Sequence, residues 1–181
     1  MKKKILTLTS ILLLAVMCIS LVSCDDKEEN SETSEYIEKT RINKDTSSLD
    51  NVYTMIKVAL CDENCYQINT VDAGGNVKWV KLAYLLDDTT NTPITAGDYA
   101  PLAAELFDSS YMDETLDIGY TYKGGENGSP FKSKAAEGAE VYFAINYEGR
   151  AAVCLSRDGA NVITAFGENG IVGNVEERIS F

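Results

Sequence analysis

Hydrophobic and polar positions divide the 181-residue chain into three stretches with different patterns. Ile5 to Val22 is predominantly apolar and follows directly on Lys2, Lys3 and Lys4. Residues 25 to 50 are the reverse. Asp, Glu, Ser, Thr, Lys and Asn dominate there, and Ile37, Ile42 and Leu49 are too sparse to build a core. That composition predicts a disordered tether, which as a flexible chain of about 26 residues spans roughly 30 Å. From Asn51 onward apolar residues recur at alternate positions, the mark of half-buried strands.

The alternation predicts two meanders. In the first, Val52, Thr54, Ile56, Val58 and Leu60 share one face of a strand, and Cys61-Asp62-Glu63-Asn64-Cys65 supplies a polar loop. Tyr66, Ile68 and Thr70 lie on the return strand, and Asp72-Ala73-Gly74-Gly75 turns the chain again. Asn76 to Leu85 then carries Val80, Leu82 and Tyr84 on one face, with Trp79 and Lys81 on the other. Asp87 to Gly97 has loop chemistry. Asp98 caps a short helix running to Asp108, with Pro101 tolerated in its first turn and Leu102, Leu106 and Phe107 as its apolar stripe. Leu116, Ile118, Tyr120 and Tyr122 alternate as a further strand, and Lys123 to Ala139, rich in glycine, reads as a long irregular loop.

The second meander is clearer. Val141, Phe143 and Ile145 alternate, Glu148-Gly149 makes a hairpin turn, and Ala151, Val153 and Leu155 answer them. Asp158-Gly159 turns the chain, Val162, Thr164 and Phe166 follow, and a last strand runs from Ile171 towards Ile179. Turns at roughly ten-residue spacing indicate an antiparallel β-sandwich or barrel of about eight strands with one short α-helix. The domain organisation expected is a leader over 1-23, a tether over 24-50 and one β-rich globular domain over 51-181.

Charge narrows the partners. The chain has 16 basic and 28 acidic residues, and loss of the three leader lysines leaves 13 against 28, a net of −15. Such a surface excludes nucleic acid and anionic headgroups as partners of a basic patch. Histidine is absent, which removes the commonest general base and metal ligand.

The order of basic residues, apolar run and boundary describes a secretory signal. Leu21-Val22-Ser23-Cys24, a small residue followed by cysteine at that boundary, resembles the lipobox of bacterial lipoproteins. The resemblance covers the first 24 residues and implies cleavage before Cys24, lipidation of its thiol and anchoring in a membrane by several acyl chains. The alternative for residues 5 to 22 is an uncleaved membrane helix, although eighteen residues lie at the lower edge of a span. Asp25-Asp26-Lys27-Glu28-Glu29 also resembles the acidic export signal of surface lipoproteins in Bacteroidota, which implies an outer-membrane anchor and surface exposure. An acidic residue at that place means inner-membrane retention in some other bacteria, so the alternative is a periplasmic face, and the plainest reading is a solvated charge run.

Candidate chemistry in the remaining chain is sparse. Cys61 and Cys65, facing each other across a hairpin loop in an oxidising compartment, are candidates for a disulfide. Their Cys-x3-Cys spacing differs from the Cys-x-x-Cys of redox motifs. Cys154, between Val153 and Leu155, reads as a packed small residue. Three thiols without histidine make no zinc site, and no metal is implied. Asp87-Asp88-Thr89-Thr90-Asn91 has oxygen ligands but not the spacing or terminal Glu of an EF-hand loop. Asp88-Thr89-Thr90 also resembles the short O-glycosylation motif of Bacteroidota. Gly167-x-x-Gly170-x-x-Gly173 lacks the dinucleotide fingerprint, and Gly124-Gly125-Glu126-Asn127-Gly128 lacks the Lys-Ser/Thr ending of a phosphate loop, so no cofactor is implied. Glu105, Asp113, Glu114 and Asp117 could supply a carboxylate pair for glycoside hydrolysis, but any acidic chain offers such clusters.

Aromatic residues are the remaining candidates. Trp79, Tyr53 and Tyr142 stand opposite the apolar alternation, where rings stack on sugars or anchor a protein partner, or are themselves covered by the helix or a second sheet. The reading that follows is a lipid-anchored envelope protein acting as a non-enzymatic binding or accessory module for a protein or a glycan. A carboxylate-dependent hydrolase and a structural or adhesive subunit assembling by strand addition are the alternatives.

Overall fold

The computed structural model describes residues 28–87, 89–90, 92–107 and 131–176. The chain divides into two compact units, Met1–Ile37 and Glu38–Phe181. Of the first, the described portion is helical from Glu28 and exposes Tyr36 and Ile37. The second unit contains everything that follows.

A single helix, α1 (Glu28–Ala59), occupies the segment expected to be tether and first strand. Neither Gly nor Pro interrupts residues 25 to 59, so nothing in the backbone stops a helix there. Within the second unit its buried line is Asp45, Leu49, Val52, Ile56 and Ala59, at the three- and four-residue steps of one helical face. Val52 and Ile56 satisfy both periods. The test between them is Thr54 and Val58, which are exposed, as a helix requires and a buried strand face forbids. The tether reading therefore fails from residue 38 onward, where side chains of α1 pack into the domain.

Among the described residues the sheet has four antiparallel strands in the order β1-β2-β3-β4: β1 (Val80–Lys81), β2 (Glu140–Ile145), β3 (Ala151–Ser156) and β4 (Ile171–Gly173). The expected eight-stranded sandwich or barrel is thus not formed. Residues 52–59 are helix, Glu63–Cys65 is a 3-10 turn, Leu82–Leu85 is a second 3-10 turn, and residues 162–166 carry no strand. The expected strand at 116–122 lies outside the described residues. A second layer is still needed to bury the sheet, and α1 with α2 (Ala100–Phe107) provides it. The helix expected before Asp108 is present as α2, with Leu102, Ala103 and Leu106 buried. Among the described residues no helix is long and apolar enough to cross a membrane.

Register places Val141, Phe143 and Ile145 beside Leu155, Val153 and Ala151 on one face. Together with Val80 and Val172 these form the main core against Leu49, Val52, Ile56, Leu102 and Leu106. Tyr99 meets Phe143 edge-on, with ring centroids 5.8 Å apart. The expected turns are largely present. Gly75 and Gly149 adopt positive φ in theirs. Asn169 and Gly170, at φ 55° and 83°, close a two-residue hairpin between Glu168 and Ile171, as a type I′ turn requires.

Asp158 works differently from the expected two-residue turn. Its carboxylate accepts the N–H groups of Ala160 and Asn161 and the side-chain amide of Asn161, so it closes a longer loop before the Ser156–Val162 bridge. The Asn161 backbone N–H first, then its side chain, the Ala160 N–H and the Ser156 hydroxyl hold the Asp158 carboxyl below the usual carboxylate range.

Helix and sheet are joined through residues 131–139. Asp45 is fully buried, and its carboxylate accepts the N–H of Lys132 at 2.9 and 3.2 Å and of Ser133 at 2.8 Å. Two helical turns earlier, Glu38 accepts the N–H of Lys134 at 2.6 Å and of Ala135 at 3.4 Å. From the opposite side Arg157 donates to the carbonyls of Glu137 and Ala135, each at 2.9 Å. Removing the Asp45 carboxylate leaves the buried Ser133 N–H and the part-buried Lys132 N–H without this acceptor. We expect Asp45→Ala to lower unfolding stability by about 2 to 3 kcal/mol, measured as a reduced urea midpoint at unchanged slope. Wild-type stability in this variant would show that the link carries no load.

Candidate functional site

The face of the sheet turned away from the helices is floored by small residues. Ala144 lies opposite Ala152 and Tyr142 opposite Cys154, and apart from the half-buried Glu140 the side chains on this face of β2 and β3 are buried. The register of Val80 with Phe143 and Lys81 with Tyr142 sets the preceding Trp79 beside Ala144. Ala144, Ala152 and Val175 form a second apolar cluster with Val77, Trp79 and Ile171 packed against it. Small side chains at Ala144 and Ala152 leave room for the indole to lie against the sheet.

A cavity of about 480 Å³ opens on this cluster, lined by Val77, Trp79, Glu168, Asn169, Ile171, Gly173, Asn174, Val175 and Glu176. The type I′ turn brings Glu168 and Asn169 to it at one end. At the other, the Asn174 N–H donates to the Ala151 carbonyl, and the Asn174 side chain accepts the Glu176 N–H at 2.7 Å. The apolar wall of the cavity carries one indole, with carboxylates and amides around it, which makes this recess the candidate site. Two further recesses, of about 350 and 410 Å³, have polar groups that bond locally. Asn69 engages both backbone groups of Val71, and Asp87 accepts from Thr89 and Thr90.

The three aromatic candidates do not converge. Trp79 alone lines the cavity. Tyr142 shares its sheet face but is only 9% exposed, with its ring against Gly159, where an added Cβ would come within 2.8 Å of Cε1. Burial, then Glu140, raises the Tyr142 phenol pKa, and Lys81 opposes them. Tyr53 belongs to α1, half-buried, with its ring against Gly173 and Lys57 Nζ 5.5 Å from its centroid. The residues missed from sequence are Val77, Glu168, Asn169, Asn174 and Glu176. The Asn169-Gly170 pair was a readable hairpin signal, but nothing in the sequence shows which strand it faces.

The expected hairpin around Cys61 and Cys65 is absent. Cys61 follows the end of α1, exposed, with its thiol directed to the Lys57 carbonyl, whereas Cys65 is buried in the 3-10 turn; both are free thiols. Burial first, then Asp62 and Glu105, pushes the Cys65 thiol up to about 11, and burial pushes Cys154 up to about 12. Cys24, Asp113, Glu114, Asp117 and Gly124 to Gly128 lie outside the described residues. Glu105 is half-buried on α2 beside Cys65. Among the described residues, no three Cys, Asp or Glu side chains are grouped to hold a metal ion.

No family model, curated protein or solved structure matches this chain. The fold and cavity define its class by architecture alone: an open antiparallel sheet backed by helices on one face and recessed on the other.

The thiols give a direct check. Iodoacetamide at about pH 8, where only accessible thiolate reacts, should label Cys61 and spare Cys65 and Cys154 until denaturant is added. Peptide mass mapping reads the outcome. Because folding raises both buried thiol pKa values from 9.0, the folded chain holds more protons than the unfolded chain above pH 9.0. Their stabilising contribution is full below pH 9.0 and is lost as pH rises towards about 12, a loss that alkaline urea titrations would measure.

Proposed function

We propose that this protein is a lipid-anchored component of a bacterial cell envelope whose globular unit is a non-enzymatic binding module. The observation that carries this reading is the 480 Å³ cavity with Trp79 in its wall. The resemblance of residues 1–24 to a lipobox supports the anchor at Cys24, and the acidic run after it supports an outer-membrane, surface-exposed position. The partner is a protein or a glycan, held at the recessed face of the sheet.

Binding is favoured over hydrolysis because no described carboxylate combines burial with this cavity. Asp45 is the buried one, and backbone amides engage both of its oxygens. Glu168 and Glu176 are exposed, so neither has the buried, apolar setting of a glycosidase acid. Strand addition has less to build on, since among the described residues the sheet edges are the two-residue β1 and the three-residue β4.

Trp79 is the single tryptophan of the chain, so its emission reports on the cavity directly. Full-length protein should be retained on at least one member of a panel of immobilised envelope polysaccharides and envelope proteins. Trp79→Ala should weaken that retention by about tenfold or more without shifting thermal unfolding, as loss of a central aromatic anchor does. Equal retention of the variant would remove the cavity from the function. For the anchor, metabolic labelling with palmitate should mark the wild-type protein and not Cys24→Ala. Labelling of the variant would refute lipidation at that residue.

A further inference from the structure

Among the described residues, the charge lining the cavity has one sign, and this selects the partner within the binding reading on which the inference rests. Glu168 and Glu176 line it, and no Lys or Arg is among its described lining residues. Neither carboxylate enters an ion pair among the described residues. Trp79, half-buried in the same wall, offers the negative face of an indole, the best aromatic surface for a cation. A neutral sugar seated here would desolvate two carboxylates without supplying a counter-charge, and an anionic ligand would be repelled by them and by the net charge of −12.

We propose that the occupant is a basic segment of a partner protein, which presents a Lys or Arg side chain to Trp79 between Glu168 and Glu176. The volume exceeds one side chain, and Asn169 and Asn174 supply amide donors suited to the backbone of an extended peptide. The apolar wall of Val77, Ile171 and Val175 takes the methylene stem of the cationic residue, as long basic side chains require.

The test titrates full-length protein, through Trp79 emission, with three probes. They are a capped hexapeptide of alternating glycine and arginine, its glutamate counterpart, and a neutral oligosaccharide. The arginine peptide should give a saturable change, weakened by about tenfold in the double variant Glu168→Gln, Glu176→Gln. Binding should also fall between about 0.01 and about 1 M salt, where the Debye length shrinks from about 30 to about 3 Å. Both glutamates are exposed, so the double variant should keep the wild-type unfolding midpoint. Undiminished binding by the double variant, or equal binding of the glutamate peptide, overturns the inference. A response to the oligosaccharide alone overturns the basic partner and leaves the cavity as a binding site. Silence with all three probes overturns the inference, whereas the binding reading itself falls only if Trp79→Ala also leaves retention on the envelope panel unchanged.

Discussion

The buried Asp45 carboxylate is the constraint on which the packing of helix against sheet depends. A charged group without solvent is tolerated only when its lone pairs are filled, and here the N–H groups of Lys132 and Ser133 fill them. Those donors belong to the segment that leads into β2, so one polar side chain ties the helix to the strand pair that its apolar face packs against. Glu38 repeats the contact two turns away, and Arg157, just after β3, holds the carbonyls of the same segment. The segment is thereby gripped through its amides from α1 and through its carbonyls from the sheet, which leaves few of its backbone groups to solvent.

With that segment held, the two faces of the sheet acquire different roles. Val141, Phe143, Ile145, Val153 and Leu155 are spent on the core against α1 and α2. The opposite face has no helix among the described residues, and its small side chains at Ala144 and Ala152 leave a recess where the core face has none. The recess takes its chemistry from neighbours outside the long strands: Trp79 just before β1, Glu168 and Asn169 at the hairpin before β4, and Asn174 to Glu176 after it. Its one-signed charge and single indole then follow from loop residues, which can vary without disturbing the core.

Elements governed by neighbouring residues were legible in the sequence. The alternation over 141–145 and 151–155, the turns at Gly75, Gly149 and Asn169-Gly170, and α2 with its Leu102 and Leu106 stripe all depend on local backbone chemistry. Helix α1 was not read, because Val52, Ile56 and the spacing between them fit either period. Its helical stripe is also masked by two acids, Glu38 and Asp45, at positions where an apolar residue would have signalled burial. The burial of Asp45 is repaid by amides some ninety residues away, and the half-buried Glu38 reaches amides of the same segment through one oxygen, which no local pattern can show.

The sequence by itself determined the acidic balance, the absence of histidine and the strand pair at the centre of the sheet, since each depends on composition or on neighbours. Tertiary structure alone decided that one sheet backed by helices replaces two facing sheets, because 52–60 was the segment that had to supply the second layer and it coils. It also decided that Trp79, and neither Tyr53 nor Tyr142, reaches the cavity. Register across β1 and β2 sets Trp79 beside Ala144, while Gly159 covers one tyrosine and Gly173 receives the other.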